Sequence, residues 1–182
     1  MKEGVIKSMR KKELFYFVAV LTLASILLNY VTAMDLSSQQ VSVASQTSAL
    51  LRLEGINAQS YGTNLVNYGG ITLVIVNECV GWMGIFAVTA LILAYPGVSW
   101  KKRAKGILVA VPTLYAVNLM RLVTTFSAGY YFGSGALYFT HDLLWRTVLI
   151  IFALLFWSAW IYFSVEGKSF SDFRKSPRSQ AF

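Results

Sequence analysis

The chain has 182 residues, of which 56% are hydrophobic and only 13% are charged, and its mean hydropathy is +0.57. This composition is too apolar for a soluble domain built around one core, so the sequence predicts a membrane protein. The net charge of +8 would suit a nucleic-acid partner only if the basic residues formed one face or stripe. Their positions show clusters at separate places in the chain instead, and no nucleic-acid partner is predicted.

The basic residues mark a membrane topology. Thirteen of the sixteen Lys and Arg residues fall into three clusters, at residues 2–12, 101–105 and 168–178. A bilayer-spanning helix needs about 20 mostly apolar residues, and four apolar stretches meet this need. We predict spans over residues 14–34, 79–95, 104–126 and 141–165. Because cytoplasmic loops carry the excess of Lys and Arg, both termini are predicted to lie inside.

The predicted fold class is therefore an all-α membrane protein, a four-helix transmembrane bundle. Residues 1–165 would form a single transmembrane domain, and residues 166–182 a basic cytoplasmic tail. The first span has an alternative interpretation as a secretory signal peptide, since Val31-Thr32-Ala33 resembles a cleavage site. A typical signal core has only about 7 to 15 residues, and the 21 uncharged residues here favour a retained anchor.

The segment between the first two spans is predicted to lie outside and to contain two small elements. Residues 40–53 are mildly amphipathic, and we expect them to form a helix along the membrane surface. Residues 63–68 and 71–77 flank Gly69-Gly70, a dipeptide that suits a two-residue hairpin turn. A small extracytoplasmic β-hairpin is therefore predicted to cap the bundle.

Three chemically distinctive residues are predicted to lie at a similar depth. Arg121 follows Lys105 by 16 residues, or about 24 Å of helix, in a hydrocarbon core of about 30 Å. Cys79 precedes Tyr95 by the same number of residues. His141 enters the last span from outside. An ionisable residue inside a span is a functional hypothesis by default, so the single Cys, the single His and Arg121 are predicted to converge near the outer face.

Each of these residues also has a structural interpretation. Cys79 could be a small packing residue, although a place at the start of a helix would favour a thiolate. His141 could cap a helix, and Arg121 could reach up to lipid headgroups. One Cys with one His excludes an intramolecular disulfide and argues against a zinc site, so no metal and no cofactor is predicted. A thiol, a base and a fixed cation are the components of acyl transfer.

Three sequence elements in this order resemble the exosortase/archaeosortase family of multi-pass membrane cysteine enzymes. They are Asn77-Glu78-Cys79-Val80-Gly81 at the start of a span, Asn118-Leu119-Met120-Arg121 near the outer end of the next, and His141 at the start of the last. The resemblance covers residues 14–165. The chain is short for the family, and Val80-Gly81-Trp82 departs from the residues that follow the Cys in many relatives. It therefore resembles a minimal member whose subgroup and recognised motif are open.

The resemblance implies a thiol protease or transpeptidase in the plasma membrane, with catalytic Cys79, Arg121 and His141 on the extracytoplasmic side. Its substrates would be secreted proteins whose C-terminus carries a short motif, a transmembrane helix and a basic cluster. The enzyme would cut near the motif through a thioester and transfer the new C-terminus to a surface acceptor, with a lipid or another cell-envelope molecule as candidates. Membrane lipids are the other expected partner.

Four further residues are candidates for substrate binding or for support of the site: Asn77, Glu78, Asn118 and Arg146. Asn118 lies three residues before Arg121 on the same helix face, where it could orient the guanidinium or form a packing hydrogen bond. Glu78 could contact substrate or simply be a carboxylate at a helix N-terminus. Arg146 is four residues after Asp142, and an ion pair between them is the simpler prediction than a substrate clamp.

Two expectations complete the prediction. Asp142 is adjacent to His141 and is expected to point away from it, so no Cys-His-Asp triad is predicted. The alternative to an enzyme is a non-catalytic membrane transport or assembly subunit that binds an anionic ligand through Arg121 and His141. A protease that only hydrolyses would share the nucleophile and differ in the acceptor.

Overall fold

The computed structural model describes residues 11–32 and 34–165. Its elements in chain order are α1 (Lys11–Thr32), α2 (Ser37–Leu53), β1 (Ala58–Gln59), β2 (Leu65–Tyr68), β3 (Ile71–Val74), a 3₁₀ turn (Asn77–Cys79), α3 (Trp82–Ala94), α4 (Trp100–Phe132), α5 (Ser134–Tyr138), a π-helical segment (Phe139–Leu144) and α6 (Trp145–Val165). The predicted basic tail over residues 166–182 lies outside the described residues.

The described part of the chain is mostly helical and has three helical stretches long and apolar enough to cross a bilayer. They are Lys11–Tyr30, Trp100–Phe132 and Ser134–Ser164. Each reaches the length of about 20 residues that a hydrocarbon core requires. This architecture is that of an all-α membrane protein.

The predicted span over residues 79–95 is not continuous. Its helix, α3, has 13 residues and is about 20 Å long, which is less than the thickness of about 30 Å of a hydrocarbon core. Gly81, with a φ of 88°, separates α3 from the 3₁₀ turn before it, and Tyr95 is extended where α3 ends. A fourth full-length span is therefore not confirmed.

The last helical stretch begins earlier than predicted. α4 continues to Phe132, and Gly133 is the one non-helical residue between residues 100 and 165. Gly133 has a φ of 84° and ends α4, after which α5 and the π-helical segment lead into α6. The expectation that His141 opens this span is wrong, since His141 lies within the π-helical segment. Such segments occur frequently at functional sites.

One face of α2 packs against protein rather than lying free along a membrane. Five of its residues are at most 1% exposed, with the i, i+4 spacing of one helix face: Val43, Ala44, Thr47, Ser48 and Leu51. Val43, Ala44 and Leu51 belong to a core cluster shared with the sheet and with α4 residues 122–126. The protein itself covers this buried face, and the placement of the helix along the membrane surface stays a prediction.

A three-stranded antiparallel sheet in the order β1-β2-β3 lies over this core. Tyr68 pairs with Ile71 across a two-residue turn, and both turn residues, Gly69 (φ 55°) and Gly70 (φ 81°), have the positive φ that a type I′ turn requires. Tyr68 stacks on Phe126 of α4, with ring centroids 5.5 Å apart. Burial raises the pKa of the Tyr68 phenol.

Two hydrophobic clusters share α4. The first joins α2, the sheet, the 3₁₀ turn and α4 residues 122–126. The second joins α3, α6 and α4 around Ala110 and Leu114. Asn118 and Arg121 lie on α4 between these clusters, and both are buried. The fold thus places its most polar buried side chains where a membrane-type helical layer meets a small mixed α/β cap.

Gly106 provides a test of the contact between α4 and α6. A Cβ at this position would lie 2.2 Å from Trp160 Nε1. Gly106→Ala should therefore force the helices apart and lower the thermal unfolding midpoint of the purified protein in detergent, since overpacking costs about 1 to 3 kcal/mol.

The matched control is Gly84→Ala on α3, where an added Cβ would have no atom within 4 Å. There the better helix propensity of Ala, worth roughly 1 kcal/mol, should leave the midpoint unchanged or raise it. Equal midpoints for the two variants would contradict close packing at Gly106.

Candidate active site

Cys79 lies in the 3₁₀ turn that connects the sheet to α3. Its backbone N–H donates to the carbonyl of Val76 at 2.9 Å, and the next N–H, of Val80, donates to Asn77 at 3.2 Å. The turn is separate from α3, so Cys79 does not open a helix as predicted, and the expected support from a helix N-terminus is absent at this position. The side chain is buried, with 6% of the residue exposed.

Two side chains outside the predicted set hold this turn in place. Gln40 of α2 donates from Nε2 to Asn77 Oδ1 at 2.5 Å, and Asn64 donates from Nδ2 to Gln40 Oε1 at 3.2 Å. Asn64 also donates to the Ile75 carbonyl at 3.2 Å. Asn77 therefore acts as the anchor of the turn. The sequence alone could not single out Gln40, because the adjacent Gln39 is the same residue type and is an exposed residue.

Asn118 connects the turn to α4. Its Nδ2 donates to the Cys79 carbonyl at 2.7 Å, and its Oδ1 accepts from Arg121 Nη1 at 3.4 Å. The approach is close because Gly81 has no side chain, and a Cβ there would lie 2.8 Å from Asn118 Cγ. Gly81 is thus required both for its positive φ and for this contact.

Arg121, His141 and Asp142 form a chain of contacts. Arg121 Nη2 lies 3.2 Å from His141 Nε2, and His141 Nδ1 lies 2.9 Å from Asp142 Oδ1. A guanidinium can only donate, so Nε2 is the acceptor in this contact and the ring proton belongs on Nδ1, from which it is donated to Asp142. The expectation that Asp142 points away from His141 is wrong. Both residues lie in the π-helical segment.

A cavity of about 490 Å³ brings most of the predicted residues together. Its lining includes Cys79, Arg121 and His141 together with Asn118 and Glu78. Leu114 and Leu149 give the same lining an apolar part. Asn77 supports the turn from behind. The Arg146 side chain lies outside the described residues, so the predicted pair with Asp142 stays a prediction.

Arg121 gives this cavity a buried cation, while Glu78 is the carboxylate among the described lining residues. Among the described residues, no carboxylate forms a salt bridge with Arg121, and its Nε is buried without a hydrogen-bond partner. Burying a cation is costly unless it is paired. Arg121 therefore presents positive charge and an unused donor beside the Cys79 turn.

Comparison with protein families identifies the chain. A family model described as transmembrane exosortase matches residues 6–160, a range that contains every residue of the cavity lining. The chain belongs to this exosortase family. Membership confirms the recognition made from the three sequence elements and supports a membrane transpeptidase-like role. No curated protein and no solved structure matches the chain.

Asn118→Ala tests the connection between the turn and α4. The substitution leaves the buried Cys79 carbonyl without its donor, which should cost about 1 to 3 kcal/mol and lower the thermal unfolding midpoint. Because Cys79 is the only cysteine, its rate of reaction with a thiol reagent can be read directly and should also change.

Thr113→Ala on the same helix is the control. The Thr113 hydroxyl donates only to the carbonyl of Val109 within its own helix, so both the midpoint and the thiol reactivity should stay as in the wild type. Asn118→Ala behaving like this control would show that the amide does not hold the turn.

Proposed function

We propose that the chain is a membrane-embedded cysteine protease or transpeptidase that cleaves the C-terminal sorting signal of secreted proteins through a thioester and transfers the new C-terminus to a surface acceptor. The observation that carries the proposal is the shared cavity of Cys79, Arg121 and His141. A nucleophile, a proton carrier and a cation for the oxyanion are the groups that acyl transfer requires.

In the first half of the reaction the Cys79 sulfur attacks the scissile carbonyl carbon and the thiol proton passes to His141 Nε2. The carbonyl oxygen becomes an oxyanion, and the Arg121 guanidinium stabilises it. As the tetrahedral intermediate collapses, the C–N bond breaks and the leaving amine takes the proton from His141. The substrate remains attached to Cys79 as a thioester.

The contact between Arg121 and His141 links these events. In the resting geometry Nε2 accepts from Arg121 Nη2 at 3.2 Å. Once Nε2 carries a proton it can no longer accept, so Nη2 is released at the moment when the oxyanion forms. The donor thus becomes available for the charge that develops in the transition state, which is where electrostatic stabilisation accelerates a reaction.

In the second half an acceptor amine, hydroxyl or water attacks the thioester. His141 removes the acceptor proton and returns it to the Cys79 sulfur as the C–S bond breaks. Asp142 holds the His141 ring with its proton on Nδ1 and balances the imidazolium charge. Because the Asp142 side chain is 60% exposed, its contribution is moderated by solvent.

The helix ends support a plasma-membrane topology with both termini inside and the active site outside. Arg103 donates to Tyr16 of α1 at 3.2 Å and to the Leu93 carbonyl of α3 at 2.9 Å, while Lys102 donates to the Ser164 carbonyl of α6 at 2.5 Å. The start of α1, the end of α3, the start of α4 and the end of α6 therefore meet at one end of the protein. That end carries the basic residues 101–105, which mark the cytoplasmic side.

The substrate class follows from the same topology. A secreted protein with a C-terminal motif, a transmembrane helix and a basic cluster would place the motif on the outer side, at the end of α4 that carries Arg121. A lipid or another cell-envelope molecule is the proposed acceptor, and membrane lipids surround the helices.

Cys79→Ala should abolish processing of a co-expressed secreted protein that ends in a motif, an apolar helix and basic residues, while the variant still inserts into the membrane. The wild type should form a hydroxylamine-sensitive adduct with the N-terminal part of the substrate, and Cys79→Ala should not. Arg121→Gln should slow processing by about 10² to 10³. Mass spectrometry of the product C-terminus identifies the acceptor.

Ser158→Ala, at an exposed position on α6, is the control and should process substrate normally. Normal processing by Cys79→Ala would rule out the mechanism. A non-catalytic subunit that binds an anionic ligand would tolerate Cys79→Ser and form no adduct.

Asp142→Asn should slow processing roughly fivefold, because an exposed charged contact contributes about 1 kcal/mol or less and Asn retains an acceptor for Nδ1–H. His141→Ala should cost far more, about 10² to 10⁴ in rate. Asp35→Asn, which removes another exposed carboxylate, is the matched control and should have no effect. An Asp142→Asn rate equal to that of Asp35→Asn would remove Asp142 from the site.

A further inference from the structure

A second cavity, of about 450 Å³, lies between the first turns of α4 and the last turns of α6. We call it the α4/α6 groove. It is far from the catalytic cavity, because Lys105 at its rim precedes Arg121 by 16 residues, or about 24 Å along α4. The groove therefore lies at the start of α4, and the catalytic cavity lies near the middle of the same helix.

The groove has an apolar floor and basic residues at its rim. Val109 of α4 and Phe156, Ala159 and Phe163 of α6 supply apolar surface. Gly106 lets α4 approach Trp160 closely, and the short side chain of Ala159 leaves room beside that contact. The groove thus has the shape and the polarity that suit a hydrocarbon chain.

The charged part of the groove is formed by Lys102 and Lys105, which line it together. Lys102 donates to the Ser164 carbonyl at 2.5 Å, and an ammonium group has two further N–H donors. Lys105 is exposed on the next turn of α4. Neither Asp nor Glu is among the described residues that line the groove. The two lysines therefore give this lining a net positive charge, which favours an anionic ligand.

We propose that the α4/α6 groove binds an anionic phospholipid, with the phosphate at Lys102 and Lys105 and an acyl chain between α4 and α6. Basic pockets between transmembrane helices on the cytoplasmic side recognise anionic headgroups in this way. The lipid covers apolar surface that is otherwise exposed, including Val109, which is 56% exposed.

Charge excludes the two other apolar occupants that could reach this groove. A substrate tail with a basic cluster would place its positive charges against Lys102 and Lys105. The chain's own residues 166–182 carry four basic residues against two acidic ones, so that segment is also repelled. A zwitterionic lipid would fill the apolar floor of the groove, but its headgroup has no net negative charge to neutralise the two lysines.

The test measures lipid retention by the full chain purified in detergent and incubated with equal amounts of phosphatidylglycerol and phosphatidylcholine, using native mass spectrometry. The wild type should retain phosphatidylglycerol preferentially, as one lipid per chain. Lys102→Gln/Lys105→Gln should lower this preference on the order of tenfold or more, since each basic residue near the headgroup contributes roughly fivefold. Gln at position 102 can still donate to the Ser164 carbonyl.

Two further variants distinguish binding in the α4/α6 groove from general attraction to the basic residues near the start of α4. Lys12→Gln/Lys101→Gln removes two exposed lysines that do not line the groove, and it should keep the preference. Ala159→Phe fills the floor without changing charge, and it should reduce retention of both lipids.

The proposal is overturned if Lys102→Gln/Lys105→Gln keeps the wild-type preference, or if the control pair loses as much of it. It is also overturned if Ala159→Phe retains lipid like the wild type, or if a transmembrane peptide with a basic C-terminus displaces phosphatidylglycerol.

Discussion

The hydrogen bond from Asn118 to the Cys79 carbonyl is the interaction on which the rest of the site depends. It is buried and 2.7 Å long, and it joins a tight turn to a helix that approaches from elsewhere in the chain. A buried amide that lost its partners would carry a large penalty, so the turn and α4 are fixed relative to each other. The same amide group accepts from Arg121, so one side chain sets the position of both the nucleophile's backbone and the cation.

This arrangement is possible because α4 passes through two different environments. Its first half packs with α3 and α6, and its later half packs with α2 and the sheet. Asn118 and Arg121 lie at the junction, where the polar side chains of α2 and the strand region supply partners to the catalytic turn. The cap formed by α2 and the sheet therefore positions Asn77 through Gln40 and Asn64 and, with Asn77, it positions Cys79.

Three of the residues that meet in one cavity could be singled out from the sequence, whereas several helix boundaries could not be predicted. Cys79, Arg121 and His141 could be singled out because each is rare and costly in an apolar segment, and all three line one cavity. Helix boundaries were less predictable: hydropathy does not reveal that Gly81 interrupts one apolar stretch or that helix continues through residues 127–140. The contact of Asp142 with His141 was missed because neighbouring side chains on a regular helix do not face each other, and hydropathy does not reveal the π-helical segment in which both residues lie. The sequence did not point to Gln40 and Asn64, because Gln and Asn are common residue types on ordinary protein surfaces.

The tautomer of His141 follows from its two neighbours rather than from the ring itself. A guanidinium on Nε2 and a carboxylate on Nδ1 are both satisfied only by a neutral ring protonated on Nδ1. Proton uptake by Nε2 must then break the contact with Arg121, while the carboxylate of Asp142 stabilises the imidazolium that forms. The two neighbours thus give the ring a resting state that accepts a proton at the atom facing the guanidinium. Loss of that contact frees a cationic donor in a cavity that already holds the Cys79 thiol, and the proposed mechanism uses this coupling between one proton transfer and the release of the guanidinium.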